Sequence, residues 1–140
     1  MPTFVDTNIL VYSLDTQDLE KQATAERRVA DLIASGEIVV STQILQELYV
    51  TLRRKFELRF GSSRINEIVR DAAQYRVVQV DVPLILAAMS RVEMASISFW
   101  DALVVESALA AGATRLLTED LQHGQVFDGR LRIENPFHSG

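Results

Sequence analysis

Short apolar runs alternate with longer segments of helical spacing along this chain. Five runs, each too brief for a helix, predict strands over residues 3–6, 38–40, 77–80, 116–118 and 131–133. Apolar positions that recur three and four residues apart predict helices over residues 9–14, 19–35, 44–60, 62–75, 83–95 and 99–111. Strands separated by helices imply right-handed crossovers. The pattern therefore predicts an α/β domain whose central parallel sheet of about five strands is flanked by helices.

Capping and breaking residues fall at the predicted helix boundaries. Asn8 and Ser98 are the expected N-caps of the first and last helices. Gly36 is expected to close the second helix, and Gly61 interrupts the apolar pattern of the long middle segment. Because parallel strands end at one edge of a sheet, residues that follow different strands are expected to meet there.

Length and composition fit one globular domain over residues 1–140, with 48% apolar and 24% charged residues. The chain has no cysteine, so any metal would be held by oxygen ligands or by His123 and His138. Both histidines stand alone in the sequence and are expected at the surface. The N-terminus lacks the features of a secretion signal, and no apolar run approaches ~18 residues. A cytoplasmic protein without membrane spans is therefore expected.

The charge pattern is acidic overall and basic in one segment. A net charge of −5 argues against broad electrostatic adhesion to nucleic acid. Basic residues nevertheless concentrate between positions 53 and 70, and four of them are candidate contacts to RNA phosphates: Arg53, Arg54, Lys55 and Arg59. The alternative is a solvated, salt-bridged pair of helices. The apolar residues of the same region that are expected to border a binding groove are Leu48, Tyr49, Leu52, Phe56 and Phe60.

Two carboxylates follow predicted strands. Asp6 ends the first run and Asp120 follows the fourth, so both are expected at the same edge of the sheet. Carboxylates a few ångströms apart repel each other by roughly 4 kcal/mol per pair near a surface, so such a pocket requires divalent cations or shared protons. Asp6 could instead cap the first helix, and Asp120 could cap the turn that follows it. Glu119 is an alternative to Asp120, and the sequence does not decide between them.

Further acidic residues lie on predicted helices. Asp101 interrupts a segment that is apolar nearly all round, where it is either functional or part of a capping box that begins at Ser98. Glu47 lies off the apolar stripe of its helix, so periodicity alone indicates a solvated residue. Glu106 is also expected at the surface. The sequence contains neither a glycine-rich phosphate loop nor a recognisable nucleophile motif.

Four segments together resemble the PIN-domain ribonucleases, particularly the small VapC-type toxins of prokaryotic toxin–antitoxin pairs. They are FVDTNIL at 4–10, residues 41–48 around Glu47, FWDAL at 99–103 and LLTED at 116–120. The resemblance implies that an acidic site for Mg²⁺ or Mn²⁺ is formed by Asp6, Glu47, Asp101 and Asp120. It also implies that the polar residues supporting these ligands are Thr7, Asn8 and Thr118.

The activity implied by this resemblance is hydrolysis of RNA phosphodiester bonds by attack of an activated water. The resemblance also implies a homodimer and a small inhibitory antitoxin protein, which would occupy the groove proposed above. A receiver-type signalling domain is disfavoured, because Asp6 is followed by Thr7 and no lysine lies near the last strand. A noncatalytic PIN-fold interaction module is the remaining alternative, and a metal-dependent nuclease assay separates it from an enzyme.

Overall fold

The structure, a computed structural model, describes residues 1–139. Its strands are β1 (Thr3–Val5), β2 (Ile38–Ser41), β3 (Arg76–Val78), β4 (Arg115–Leu117), β5 (Val126–Phe127) and β6 (Leu131–Glu134). They form one sheet in the order β3-β2-β1-β4-β6-β5. All neighbouring pairs are parallel except β5 and β6, which form an antiparallel hairpin at one edge. The predicted parallel α/β architecture is confirmed, and β5 is the strand that the sequence pattern did not predict.

The helices within residues 1–139 are α1 (Thr7–Tyr12), α2 (Leu19–Ser35), α3 (Thr42–Ala72), α4 (Val82–Ala95) and α5 (Phe99–Ala110). Asp6 is the N-cap of α1, because its side chain accepts the Thr7 N–H; the assignment of this cap to Asn8 was wrong. Ser98 caps α5 as predicted. Gly61 has a non-helical backbone, with φ of 76° and ψ of 159°, so two helical segments of α3 meet at a kink where the sequence predicted a break.

The centre of the sheet is covered on both faces. Every residue of β1 and β2 is buried, and successive side chains of a strand point to opposite faces. Leu48, Leu52 and Phe56 belong to this core, with exposures of 1%, 0% and 8%. They recur every four residues and form the buried stripe of α3. The expectation that these three residues border a groove was therefore wrong.

A buried arginine ties the C-terminal hairpin to α4 and α5. Arg91 of α4 donates from Nε to Glu106 of α5, and its Nη2 lies 3.0 Å from Asp128 Oδ2 in the hairpin turn. Its guanidinium also lies 5.6 Å from the Phe127 ring. The Glu106 side chain is 15% exposed, so its assignment to the surface was wrong. The salt bridges of Arg91 to Glu106 and Asp128 thus connect the edge hairpin to the two helices.

Within residues 1–139, no single helix is long and apolar enough to cross a membrane. Helices α4 and α5 reach that length and apolarity only when taken together, as a pair bent by 116°.

Candidate active site

A cavity of about 700 Å³ opens where the strand order reverses. β1 pairs with β2 on one side and with β4 on the other, which makes the carboxyl ends of β1 and β4 the switch point of the sheet. Open α/β sheets bind their ligands at this point. The acidic residues that line the cavity are Asp6, Asp15, Glu47, Asp101, Glu119 and Asp120. The fold thus brings all four predicted carboxylates to one cavity.

Asp6 is the buried centre of this cavity, with 6% of its surface exposed. The Thr7 N–H donates to its Oδ1 at 2.7 Å, and the Thr118 hydroxyl donates to its Oδ2 at 2.8 Å. Burial raises the pKa of Asp6 to about 7, although the bonds from Thr118 and Thr7 lower it. The negative charges of Asp120 and Glu47 raise it further. A cation near Asp6 would therefore favour its ionised form.

Two hydroxyl groups hold the carboxylates in place. Thr118, fully buried at the end of β4, bonds Asp6 and also accepts the Asp120 N–H at 3.1 Å. Thr7 donates from its hydroxyl to Glu47 Oε1 at 2.8 Å. Glu47 is half-buried and faces α1 across the cavity, although its position on the helical wheel indicated a solvated residue. The hydroxyl groups of Thr7 and Thr118 therefore each bond one of the carboxylates predicted from the sequence.

Asp101 and Asp120 form the outer part of the acidic wall. The Asp101 N–H donates to the Ser98 hydroxyl oxygen at 3.0 Å, so Ser98 caps α5 while the Asp101 carboxylate has no hydrogen-bond donor among residues 1–139. Burial raises the pKa of Asp120, and the charges of Asp101 and Glu119 raise it further. A hydrogen bond with the Asn8 side chain lowers it. The two aspartates are close enough to repel each other electrostatically.

Glu119 lines the cavity but is occupied by neighbouring donors. The Tyr12 hydroxyl donates to its Oε1 at 2.8 Å, and Lys21 Nζ donates to its Oε2 at 3.3 Å. Lys21 Nζ also lies 4.7 Å from the Tyr12 ring centroid and 5.0 Å from that of Phe137. Glu119 is therefore neutralised by a lysine, whereas Asp120 faces other carboxylates.

The basic residues of α3 separate into two groups. Arg54 and Lys55 line the acidic cavity. Arg53 instead pairs with Glu57 at 2.9 Å, and Arg59 donates to the Leu14 carbonyl. Of the four basic residues proposed from the sequence to contact RNA, only Arg54 and Lys55 line the cavity.

The donor set suits a hard divalent cation, which prefers carboxylate oxygen and retains several water ligands. Asn8 lines the cavity, and its Oδ1 is buried from solvent without a partner among residues 1–139, so it can accept a bond from such a water only after the side chain rotates. Among residues 1–139, no three carboxylate or imidazole side chains lie close enough together to bind one ion directly. Direct binding by three ligands thus requires side-chain rotation, whereas binding of the carboxylates through water does not.

Three residues that sequence reasoning did not assign to the site also line the cavity. Trp100 precedes Asp101 and is 61% exposed, Gln43 is buried one turn before Glu47, and Tyr12 holds Glu119. The tryptophan directly before Asp101 was the one available sequence signal. His123 and His138 lie outside the cavity; they are exposed as predicted, but their rings stack at 4.2 Å.

Fold and site together define an α/β domain with a carboxylate-lined cavity at the switch point of its sheet. The family model of the PIN domain matches residues 3–126, and the chain belongs to this family. No curated protein sequence matched the chain.

Solved structures of similar fold include toxins and toxin–antitoxin complexes. A toxin–antitoxin complex from Klebsiella pneumoniae superposes with a TM-score of 0.72 at 12% identity, covering 98% of this chain and 99% of that chain. VapBC2 from Rickettsia felis, bound to a promoter DNA fragment, gives 0.67 at 16% identity, covering 96% and 100%. VapC20 from Mycobacterium tuberculosis, a toxin that cleaves the sarcin–ricin loop, gives 0.62 at 21% identity, covering 81% and 86%. At these identities the likeness shows a shared fold.

Proposed function

We propose that this chain is a ribonuclease that uses Mg²⁺ or Mn²⁺ to hydrolyse RNA phosphodiester bonds, and that it is the toxin of a toxin–antitoxin pair. The observation that carries the proposal is the convergence of four carboxylates on one cavity in a chain of the PIN family. A pocket of this charge repels a phosphodiester unless cations neutralise it. A cation-dependent reaction on a phosphate accounts for the acidity of this cavity.

Each residue has a defined part in this proposal. Asp6 and Asp101 are the principal ligands, and Glu47 and Asp120 complete the set directly or through water. When bound, a divalent ion would lower the pKa of a water molecule and neutralise charge on the phosphate. Thr118 and Thr7 keep Asp6 and Glu47 in place by the hydrogen bonds described above. Arg54 and Lys55 attract the phosphates of the RNA to the cavity.

An antitoxin protein and a second copy of the chain are the proposed protein partners. Support for the antitoxin comes from the toxin–antitoxin complexes that share this fold at high coverage. Because Leu48, Leu52 and Phe56 are buried, the antitoxin must dock on other residues. The cavity mouth, with Arg54, Lys55 and the exposed Trp100, is the proposed inhibitory contact.

The test is cleavage of single-stranded RNA by the purified chain with Mn²⁺, with Mg²⁺ and with EDTA. We expect cleavage with either ion and none with EDTA. Asp101→Asn, purified in the same way, is the control for contaminating nucleases. Equal cleavage by this variant, or cleavage that persists in EDTA, would contradict the proposal.

Replacing Asp120 and Glu119 separately is expected to give different results. Asp120→Asn should lower cleavage strongly, because it removes a carboxylate that faces Asp101. Glu119→Gln should retain most of the activity, because Tyr12 and Lys21 already occupy that carboxylate. Rates at saturating Mn²⁺ test the difference. The reverse order of effects would assign Glu119 as the ligand instead.

Neutralising Arg54 and Lys55 together is expected to weaken RNA binding and to reduce its dependence on salt. Each lost phosphate contact should lower the slope of log affinity against log salt by roughly 0.7 for a single strand. The matched control, Arg64→Gln with Arg70→Gln, removes the same charge from the same helix outside the cavity lining. Binding is measured at several salt concentrations. Equal slopes for the two double variants would remove Arg54 and Lys55 from the RNA path.

A further inference from the structure

A second, smaller cavity of about 310 Å³ adjoins the acidic one. Gln43, Gln46 and Trp100 line both cavities, so these side chains form the wall between them. The second cavity is otherwise mostly apolar, with Val80, Ile85, Phe99 and Leu103 among its lining residues. A concave apolar site of this size with a few polar groups suits a small flat ring.

Gln43 is a buried residue with an unpaired acceptor. It is 5% exposed, and its Nε2 donates to Glu47 Oε2 at 3.5 Å and to the Trp100 carbonyl at 3.4 Å. Exchanging the amide oxygen and nitrogen would place the oxygen against these two acceptors, so the assignment of the two atoms is settled. Its Oε1 is buried from solvent and has no partner among residues 1–139, so a ligand reaches it only if the side chain turns toward the cavity. A buried acceptor without a donor is costly, so a ligand that presents an N–H would be favoured here.

Trp100 offers a stacking surface at the same wall. Its indole is 61% exposed, although Phe99 packs against it edge-on with ring centroids 5.2 Å apart. An exposed indole presents a flat face on which another ring can stack. Trp100 directly precedes Asp101 on the first turn of α5, so a ligand on the indole would lie beside the acidic cavity.

We infer that the second cavity is a nucleobase subsite, in which the base next to the cleaved phosphate stacks on Trp100 and, when the Gln43 side chain turns toward the cavity, donates an N–H to Gln43 Oε1. The inference rests on the proposed ribonuclease function and specifies which part of the RNA the enzyme recognises. A phosphate held in the acidic cavity brings its neighbouring base to the shared wall. RNA is favoured over a protein segment because the wall combines a flat aromatic face with an unpaired acceptor, as base recognition requires.

The test uses Asp6→Asn, which should not consume the RNA, and single-stranded RNA hexamers of one base type each. Trp100 is the only tryptophan in the chain, so its indole N–H gives a single signal in a proton–nitrogen NMR spectrum. The RNA hexamers should shift or broaden this signal. An abasic sugar–phosphate hexamer should bind more weakly and leave the signal unchanged.

Two substitutions, each made in the Asp6→Asn background, extend the test. Trp100→Ala should weaken binding of the RNA hexamers by roughly five- to 100-fold, and Trp100→Phe should restore part of it. Gln43→Met, which keeps the side-chain length, should weaken RNA binding by roughly two- to twelve-fold without changing the affinity for the abasic hexamer. An equal loss for the abasic hexamer would overturn the role of Gln43.

The outcomes separate this inference from the proposed function. An unchanged indole signal at saturating RNA would overturn base stacking and leave Trp100 as a protein contact, even if the wild type cleaves RNA. A base-dependent shift in a chain that does not cleave RNA would support the subsite and contradict the ribonuclease. In both cases the melting temperatures of the variants show whether the fold is intact.

Discussion

Asp6→Asn is expected to lower RNA cleavage by more than about 100-fold and to raise the stability of the metal-free protein. Activity falls because the substitution removes the carboxylate charge at the centre of the site. The fold is kept because asparagine is also a good N-cap and can still accept the Thr7 N–H. Stability rises because the metal-free wild type must hold a buried carboxylate that has no salt bridge among residues 1–139. Cleavage rates and melting temperatures measured on the same samples test both parts.

The stability gain should depend on pH in a defined direction. The pKa of Asp6 is raised from 3.8 to about 7 on folding, so the folded state holds a proton that the unfolded state releases. Wild-type stability therefore falls as pH rises from about 4 to about 7. Asp6→Asn removes this loss, so the variant should match the wild type near pH 4 and exceed it by up to about 4 kcal/mol at pH 8. A variant less stable than the wild type at pH 8 would contradict this account of Asp6.

Divalent cations should stabilise the wild type, because the folded chain holds the carboxylates together and the unfolded chain does not. At a concentration 100-fold above the dissociation constant, linkage gives about 2.7 kcal/mol, or roughly 8 °C for a domain of this size. The effect should weaken below pH 7, because protonation of Asp6 competes with the ion. Thermal melts with and without millimolar Mn²⁺ measure it, with Asp6→Asn as the control. An unchanged wild-type midpoint would count against the metal site.

The sequence predicted the parallel core of the fold because its strands and helices follow strong apolar periodicities. It did not predict β5, because two residues, one of them exposed, carry too little pattern. It assigned the first cap to Asn8 instead of Asp6, because both residue types cap helices and only geometry decides between them. Local sequence patterns therefore predict which helices and strands form more accurately than they predict the residues at which these begin and end.

The candidate site was partly predictable from strand ends. Asp6 and Asp120 follow strands, so the topology alone brings them to one edge. Glu47 could not be found from periodicity, because its neighbour Thr7 is 40 positions away and the contact exists only after folding. The burial of Glu106 depends in the same way on Arg91, which lies on another helix. Residues whose environment comes from distant segments are the ones that local patterns miss.

The basic segment shows a related limit. The sequence indicates that positive charge gathers on α3, but not which side chains are already paired. Arg53 and Arg59 are engaged within the domain, and Arg54 and Lys55 line the cavity. Neighbouring positions on a helix point about 100° apart, so adjacent arginines can face different surroundings.

The chemistry of the cleaved ends tests the central claim most directly. Hydrolysis by an attacking water, with the 3′ oxygen leaving, predicts fragments that carry a 5′-phosphate and a 3′-hydroxyl. RNA is incubated with Mn²⁺ and either the wild type or Asp101→Asn, and the end groups of any fragments are identified by mass spectrometry. The account predicts these ends from the wild type and no fragments from the variant. Fragments with 2′,3′-cyclic phosphates, formed equally in EDTA and by the variant, would contradict it.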